Sequence, residues 1–151
     1  MKTLSAILTF LLFLNCSEDK NSGGISPDKI QDQIFVLVNK HRKSKGLPVF
    51  QTNKACDREA QAHSENMADG TTPYGHDGFD DRFEVLSEET GAMSMGENVA
   101  YGQTSAAEVM EGWLDSKGHR ENIEGDYTHI GIGVAASSDG TMYFTQIFVG
   151  I

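Results

Sequence analysis

Residues 129–134 read His-Ile-Gly-Ile-Gly-Val, and residues 142–148 read Met-Tyr-Phe-Thr-Gln-Ile-Phe. In the first stretch apolar residues alternate with glycine, and in the second Met142, Phe144, Gln146 and Phe148 fall on every second position, which is the period of a β-strand. Asp139-Gly140 lies between the two stretches and is typical of a hairpin turn. The end of the chain is therefore predicted to form two paired antiparallel strands.

The first half of the chain has a helical period instead. Ser26-Pro27 is typical of a helix start, and apolar residues then recur at helical spacing as far as Gly46. A second helix is predicted to begin after Asn53 and to end at Gly70, just before Thr72-Pro73. Both helices precede the predicted hairpin by a long stretch of sequence.

The middle of the chain contains shorter elements. A short helix is predicted over residues 80–89, and residues 98–101 favour a further short strand. The sequence Ser105-Ala106-Ala107-Glu108 has the pattern of a capping box, and it opens another helix that is predicted to end at Gly118. Because helices come first and strands mostly late, without strand-helix-strand alternation, the fold class is α+β with an antiparallel sheet.

The chain has 151 residues, which is enough for one compact core, and its formal charge is −10. Removing residues 1–15 takes away only Lys2 and leaves 11 basic and 22 acidic residues, or about −11. Such a surface repels phosphate backbones and anionic lipid headgroups, so nucleic-acid binding and electrostatic docking on a membrane are not expected. It suits solubility or the capture of cations and basic partners.

The N-terminus has the pattern of a processing signal, in which Leu4 to Leu14 form a short apolar run and Cys16 follows. We predict a lipoprotein signal peptide over residues 1–15, lipidation at Cys16, and a polar tether over residues 16–25. Asn15 departs from the small residue usual before a lipidated cysteine, and the alternative is an ordinary signal that is cleaved away together with Cys16. Either reading predicts an extracytoplasmic protein, on the cell surface or facing the periplasm. Any contact with the membrane is expected through the lipid anchor alone.

The remaining residues, 26–151, are predicted to form the folded domain, and Cys56 is its only cysteine. An internal disulfide is therefore excluded for the domain. Cys56 lies in a helical segment, where a small buried apolar side chain is a more typical role than a nucleophile.

Several motifs follow one another in a fixed order along the chain. They are Gly75-His76, Gly96-Glu97-Asn98-Val99-Ala100, residues 113–122 (Trp-Leu-Asp-Ser-Lys-Gly-His-Arg-Glu-Asn), residues 127–133 (Tyr-Thr-His-Ile-Gly-Ile-Gly) and residues 144–148. In these motifs the chain resembles the bacterial branch of the CAP superfamily, the SCP-like fold of cysteine-rich secretory proteins, insect venom allergens of the antigen 5 type and plant pathogenesis-related proteins.

The resemblance implies a three-layer α-β-α sandwich with a central antiparallel sheet, and a cleft whose floor holds two histidines and two acids. His76, Glu97 and His129 match three of those four positions. Where animal members have the fourth, an acid, this chain has Ser116, and the resemblance implies His119 as the substitute. The implied cleft is therefore His76, Glu97, His119 and His129.

Two histidines and a glutamate are also a ligand set for zinc. We therefore predict a divalent metal, zinc among the candidates, on His76 and His129, although no cofactor is expected to be obligatory. If the chain has a catalytic residue, it is Glu97. The spacing alone shows no metal site, because the sequence has neither H-E-x-x-H nor C-x-x-C.

Each of these polar residues has a structural alternative. Glu97 could brace the cleft by accepting hydrogen bonds, and His119 could bond the last carbonyls of a helix. His41 and His63 lie within predicted helices and are interpreted as surface or capping residues. Outside this set, Trp113 is assigned to core packing and Asn122 to fixing a loop.

Three functions follow as hypotheses. The first is a non-enzymatic binding module that is anchored by lipid and takes a small hydrophobic ligand, such as a sterol or a fatty acid, or a divalent metal. The second is a metal-assisted hydrolase, a peptidase, in which Glu97 activates water. The third is a surface protein that binds host or matrix components through an acidic loop over residues 77–95. The absence of a Ser or Cys nucleophile beside a base in the motifs favours a protein that is not an enzyme.

Overall fold

The computed structural model describes residues 26–151. The predicted signal peptide, the lipidation at Cys16 and the tether lie outside these residues. Five helices and four strands are present within them, in the order α1 (Pro27–Ser44), β1 (Gln51–Thr52), α2 (Lys54–Asp69), α3 (Phe79–Thr90), β2 (Ser94–Tyr101), α4 (Ala106–Asp115), α5 (Lys117–Ile123), β3 (His129–Ala136) and β4 (Met142–Gly150).

The predicted hairpin is confirmed as β3 and β4, which pair antiparallel along the whole of β3. The turn between them contains Gly140 at φ +88°, a left-handed conformation that glycine adopts without strain, and the Thr141 N–H donates to the Asp139 side chain at 3.0 Å. Strand β2 pairs antiparallel with the other side of β4, and the strand order is β1-β3-β4-β2. The short β1 pairs parallel with β3, so the sheet is antiparallel except at this edge.

The alternation along β3 separates the two faces of the sheet. Ile130, Ile132 and Val134 belong to a core with α1 and α4, while a side chain at Gly131 or Gly133 would overlap the backbone of α2. Helix α3 packs on the α2 side and α5 packs beside α4. The α+β class and the three-layer α-β-α sandwich are thus confirmed.

The two long helices are confirmed within two residues of their predicted ends. Asn53 caps α2, because its side-chain oxygen accepts from the backbone N–H groups of Ala55 and Cys56. Gly70 ends the helix in the left-handed conformation. Cys56 is buried as predicted, and burial raises the pKa of its thiol to about 12, so it is not a reactive nucleophile.

The middle of the chain differs from prediction in three places. Helix α4 ends at Asp115 rather than at Gly118, because Ser116 takes an extended conformation (ψ 122°) and the chain restarts as α5, which contains Gly118 and His119. Strand β2 begins at Ser94, four residues before the predicted start. Residues 77–95 were proposed as an acidic binding loop, but most of them form helix α3. This helix agrees with the short helix that was predicted over residues 80–89.

Among the described residues, no helix is long and apolar enough to cross a membrane.

Candidate functional site

Glu97 lies in the middle of β2, and its side chain is completely buried. Its carboxylate accepts from Arg82 twice, with Nε donating to Oε2 at 2.9 Å and Nη2 donating to Oε1 at 2.9 Å. His76 Nδ1 also lies 2.8 Å from Oε1. Because a carboxylate can only accept, the His76 proton resides on Nδ1, and the lone pair of the neutral ring is left on Nε2.

Arg82 was not predicted as a site residue. It lies on α3, where it also donates to the Asp77 carbonyl at 2.8 Å, and its side chain is 11% exposed. A forked guanidinium bound to both oxygens of a carboxylate is a strong and directional ion pair. In the sequence Arg82 follows Asp80 and Asp81, a pattern typical of a solvated charged helix, so no local signal distinguished it.

His63 was predicted to be a surface or capping residue, and that prediction is wrong. It is 2% exposed on the inner face of α2, and its Nε2 lies 2.9 Å from the Gly75 carbonyl and 3.8 Å from Glu97 Oε1. Burial lowers the pKa of its imidazole, which favours the neutral ring with Nε2–H donating to the carbonyl. The spacing of Cys56, Ala60, His63 and Met67 on one helical face was a signal that could have identified it.

His76 is therefore held from two directions. Its ring bonds Glu97, and the residue before it, Gly75, is tied to α2 through His63. The side chain itself remains 53% exposed, so the ring is oriented and yet accessible to solvent. The hydrogen bond of Nδ1 to Glu97 thus fixes the orientation of the ring, and Nε2 lies on the side away from the carboxylate.

His119 lies in α5, not beyond the end of a helix as the sequence indicated. It is half-buried, and its pKa is lowered first by burial and then by the repulsion that a protonated His76 ring would exert on a protonated His119 ring. Its carbonyl accepts from Asn98 Nδ2 at 3.1 Å, and Asn122 Nδ2 donates to both Asn98 Oδ1 and the Glu97 carbonyl. These bonds fasten α5 to β2 and keep His119 on the same side of the sheet edge as His76.

His129 is not brought to this group. It starts β3, where it lies opposite Gln51 of β1 and opposite Val149 of β4. Val149 in turn lies opposite Met95, so β4 separates His129 from β2 and the two backbones are about 10 Å apart. The ring of His129 contacts Thr128, at 2.9 Å from its hydroxyl oxygen.

A cavity of about 230 Å³ opens beside β2, between the loop before α3 and the junction of α4 with α5. Tyr74 and Tyr101 form one wall, with ring centroids 4.6 Å apart. Trp113 forms the inner wall, and it is 1% exposed with its indole N–H donating to the Val99 carbonyl at 3.3 Å. The remaining lining residues are Val99, Ala100, Gln103, Val109, Gly112, Ser116 and His119.

The arrangement does not fit the predicted zinc set. His76 and His129 are apart, and both oxygens of Glu97 are engaged by Arg82, with His76 on one of them as well. Within residues 26–151 no group of three or more His, Cys, Asp or Glu side chains could hold a metal ion. The structure brings together His76, Glu97 and His119 of the predicted cleft, and adds Arg82 and His63.

The fold places this protein among three-layer α-β-α sandwich domains with a cleft beside an edge strand, here β2. The sequence profile of the CAP family, the cysteine-rich secretory protein family, matches residues 35–148. The chain belongs to this family, as the resemblance predicted.

Similar proteins come from several bacteria. The uncharacterized protein YkwD of Bacillus subtilis is 30% identical over 141 residues, covering 89% of this chain and 53% of the relative. An extracellular protein of Bacillus anthracis that contains an SCP domain has a TM-score of 0.68 at 30% identity, covering 86% of this chain and 45% of that structure. An outer surface protein of Borrelia burgdorferi has a TM-score of 0.71 at 18% identity, covering 83% and 96% respectively, which shows the shared fold alone. The chain spans about half the length of YkwD.

Proposed function

We propose that this chain is an extracytoplasmic binding module that takes a small, largely apolar ligand with one polar end. The observation that carries the proposal is the cavity beside β2, in which Tyr74, Tyr101 and Trp113 provide an apolar wall and His119 a polar edge. Aromatic walls with a few polar groups are typical of ligand sites in proteins. The extracytoplasmic location is supported by the predicted signal peptide and by the description of the similar Bacillus anthracis protein as extracellular.

The volume of the cavity limits which ligands can fit. At about 230 Å³ it is smaller than the roughly 300–1,000 Å³ usual for enclosed drug-sized ligands. A fatty acid suits it better than a sterol, because a flexible chain can insert one end and leave the remainder outside. The Gln103 side chain lines the cavity, and within the described residues its buried Oε1 has no hydrogen-bond partner. This oxygen can only accept, so it suits a hydroxyl or a protonated carboxyl group at the polar end of the ligand.

Catalysis by Glu97 is less well supported by this geometry. A general base must be free to take a proton within hydrogen-bond reach, whereas Arg82 binds both oxygens of Glu97 and His76 binds one of them. We therefore interpret Glu97 as a brace for the cleft, which is the structural alternative that its sequence context allowed. This interpretation agrees with a protein that binds rather than hydrolyses.

The test is fluorescence titration of the full chain with decanoic acid and with cholesterol, following Trp113. We expect decanoic acid to bind and Tyr101→Ala to weaken it by at least tenfold, since Tyr101 is half exposed and its loss leaves the core intact. Met93→Ala is the matched control, because Met93 is the most exposed large apolar side chain within residues 26–151 and does not line the cavity. An absence of decanoic acid binding, or equal binding by Tyr101→Ala and the unaltered chain, contradicts the proposal.

A further inference from the structure

The outer edge of β3 is closed by side chains instead of a strand. Strand β1 covers this edge only as far as Thr52, and the chain then turns away into α2. Beyond Ile130, the Ile132 N–H donates to Asp57 Oδ1 at 3.1 Å and the Ile132 carbonyl accepts from Gln31 at 3.1 Å. Two residues on, the N–H and carbonyl of Val134 both bond the Gln61 amide, at 3.0 and 3.1 Å.

These contacts reproduce what a neighbouring strand would provide. The side-chain amide of glutamine carries the same donor and acceptor as a peptide group, and Ile132 and Val134 are the residues whose peptide groups point outward. Gln31 and Gln61 also bond each other at 2.8 Å. We call Gln31, Asp57 and Gln61 together the clamp. An exposed sheet edge that is left open would pair with other chains.

The clamp at β3 differs from the capping of the opposite edge, at β2. There the Val99 carbonyl accepts from Trp113, which is buried in the core and cannot move without disrupting it. At β3 the clamp residues Gln31, Asp57 and Gln61 are all partly exposed, and each is a side chain that can rotate. They line a groove of about 520 Å³ that runs along the edge between α1 and α2.

The side chains that line the groove carry a net negative charge. Asp28 and Asp32 lie one turn apart on the same side of α1, and Asp57 faces them from α2. The one basic residue in the lining, Arg58, is engaged by Glu59 and Glu89. The groove therefore presents net negative charge beside the backbone groups of Ile132 and Val134, whose hydrogen-bond partners on this side are side chains and not another strand.

We propose that this edge binds an extended peptide segment of a partner protein, with Lys or Arg at alternate positions, as an added strand. The peptide backbone replaces the glutamine clamp on Ile132 and Val134, while every second side chain points to the α1 face and meets Asp28 and Asp32. This site is separate from the cleft beside β2, since β3 and β4 lie between the groove and β2.

The test is fluorescence anisotropy of the full chain with a labelled, capped hexapeptide Lys-Thr-Lys-Thr-Lys-Thr at 0.15 M salt. A second probe, the same hexapeptide with every backbone nitrogen methylated, has the same charge but no backbone N–H group with which an added strand could pair. We expect the first probe to bind at least tenfold more tightly. We also expect the double variant Asp28→Asn, Asp32→Asn to weaken it at least fivefold, because both residues lie in the groove.

The matched control is Glu84→Gln, Glu88→Gln, which removes the same charge from exposed positions one turn apart on α3. This control is expected to bind the first probe as the unaltered chain does. Equal affinity for the two probes, or equal loss in the two double variants, would overturn the proposal, because binding would then be attraction to the acidic surface alone. An absence of binding by the Lys-Thr probe would overturn it as well.

Discussion

Replacing Glu97 by Gln is expected to destabilise the fold because it leaves a buried cation without its partner. The Glu97 side chain is fully buried, the Arg82 side chain is 11% exposed, and the pair is joined by two hydrogen bonds of 2.9 Å. Breaking a buried pair by removing one charge costs about 3–5 kcal/mol. Glutamine keeps one accepting oxygen but turns an NH₂ group toward the guanidinium or His76, so we expect about 3 kcal/mol.

The measurement is urea unfolding followed by circular dichroism. For an unfolding slope of about 2 kcal/mol/M, a loss of about 3 kcal/mol lowers the midpoint by about 1.5 M. Glu124→Gln is the control, since Glu124 pairs with His41 at 2.8 Å and with Lys45 at 3.8 Å near the surface, where the loss of such ion pairs has a small effect. The double variant Glu97→Gln, Arg82→Leu should recover part of the loss, because the unpaired charge is gone.

If Glu97→Gln lowers the urea midpoint no more than Glu124→Gln does, the reasoning is refuted and Glu97 does not brace the cleft. The prediction also affects any assay of hydrolysis. Loss of activity in Glu97→Gln cannot be assigned to chemistry unless the variant is shown to be folded under the same conditions.

The remaining predictions concern packing, pH and metal. Gly131→Ala should prevent folding or cost more than about 3 kcal/mol, because the added Cβ would overlap the backbone of α2, whereas Gly112→Ala in α4 has free space and should be neutral or stabilising in urea unfolding. Burial lowers the pKa of His63 below its ordinary 6.5, so the unfolded chain binds the proton more readily and stability is lost as pH falls below about 6.5. His63→Gln should therefore reduce the fall in midpoint between pH 7.5 and pH 5.5, and an unaltered fall would contradict this assignment. If the chain binds zinc, calorimetric titration should give the same affinity for His129→Ala as for the unaltered chain, because His129 is about 10 Å from β2; a loss of affinity in this variant would show that His129 is a ligand.

The elements that the sequence predicted well are those specified by local spacing. Helices α1 and α2 have caps and a continuous apolar period, and the hairpin has a strict alternation around Asp139-Gly140. Helix α5 was missed because Gly118 is typical of a helix end. In the structure the extended conformation of Ser116 ends α4 two residues earlier, and α5 begins directly after it. Strand β1 was missed because two residues have no period to detect.

The site was predictable only in part, for a related reason. The motifs identified His76, Glu97 and His119, and these three residues lie near one another. They also identified His129, which lies on β3 and outside the cleft. Motif order along a chain does not determine which strand lies next to which. In this sheet β4 is inserted between β3 and β2, which moves His129 away from the other predicted residues.

The Arg82 pair has a further consequence for how the cleft works. Glu97 belongs to β2, Arg82 to α3 and His76 to the loop between α2 and α3, so one buried carboxylate joins three separate parts of the chain. A catalytic carboxylate would need freedom to exchange protons, and the two donors on Arg82 remove that freedom. A binding site gains from the same restriction, because walls that are already rigid lose little entropy when a ligand arrives. The residue that most resembles a catalytic base in the sequence is therefore best explained as the support that keeps the cleft in shape.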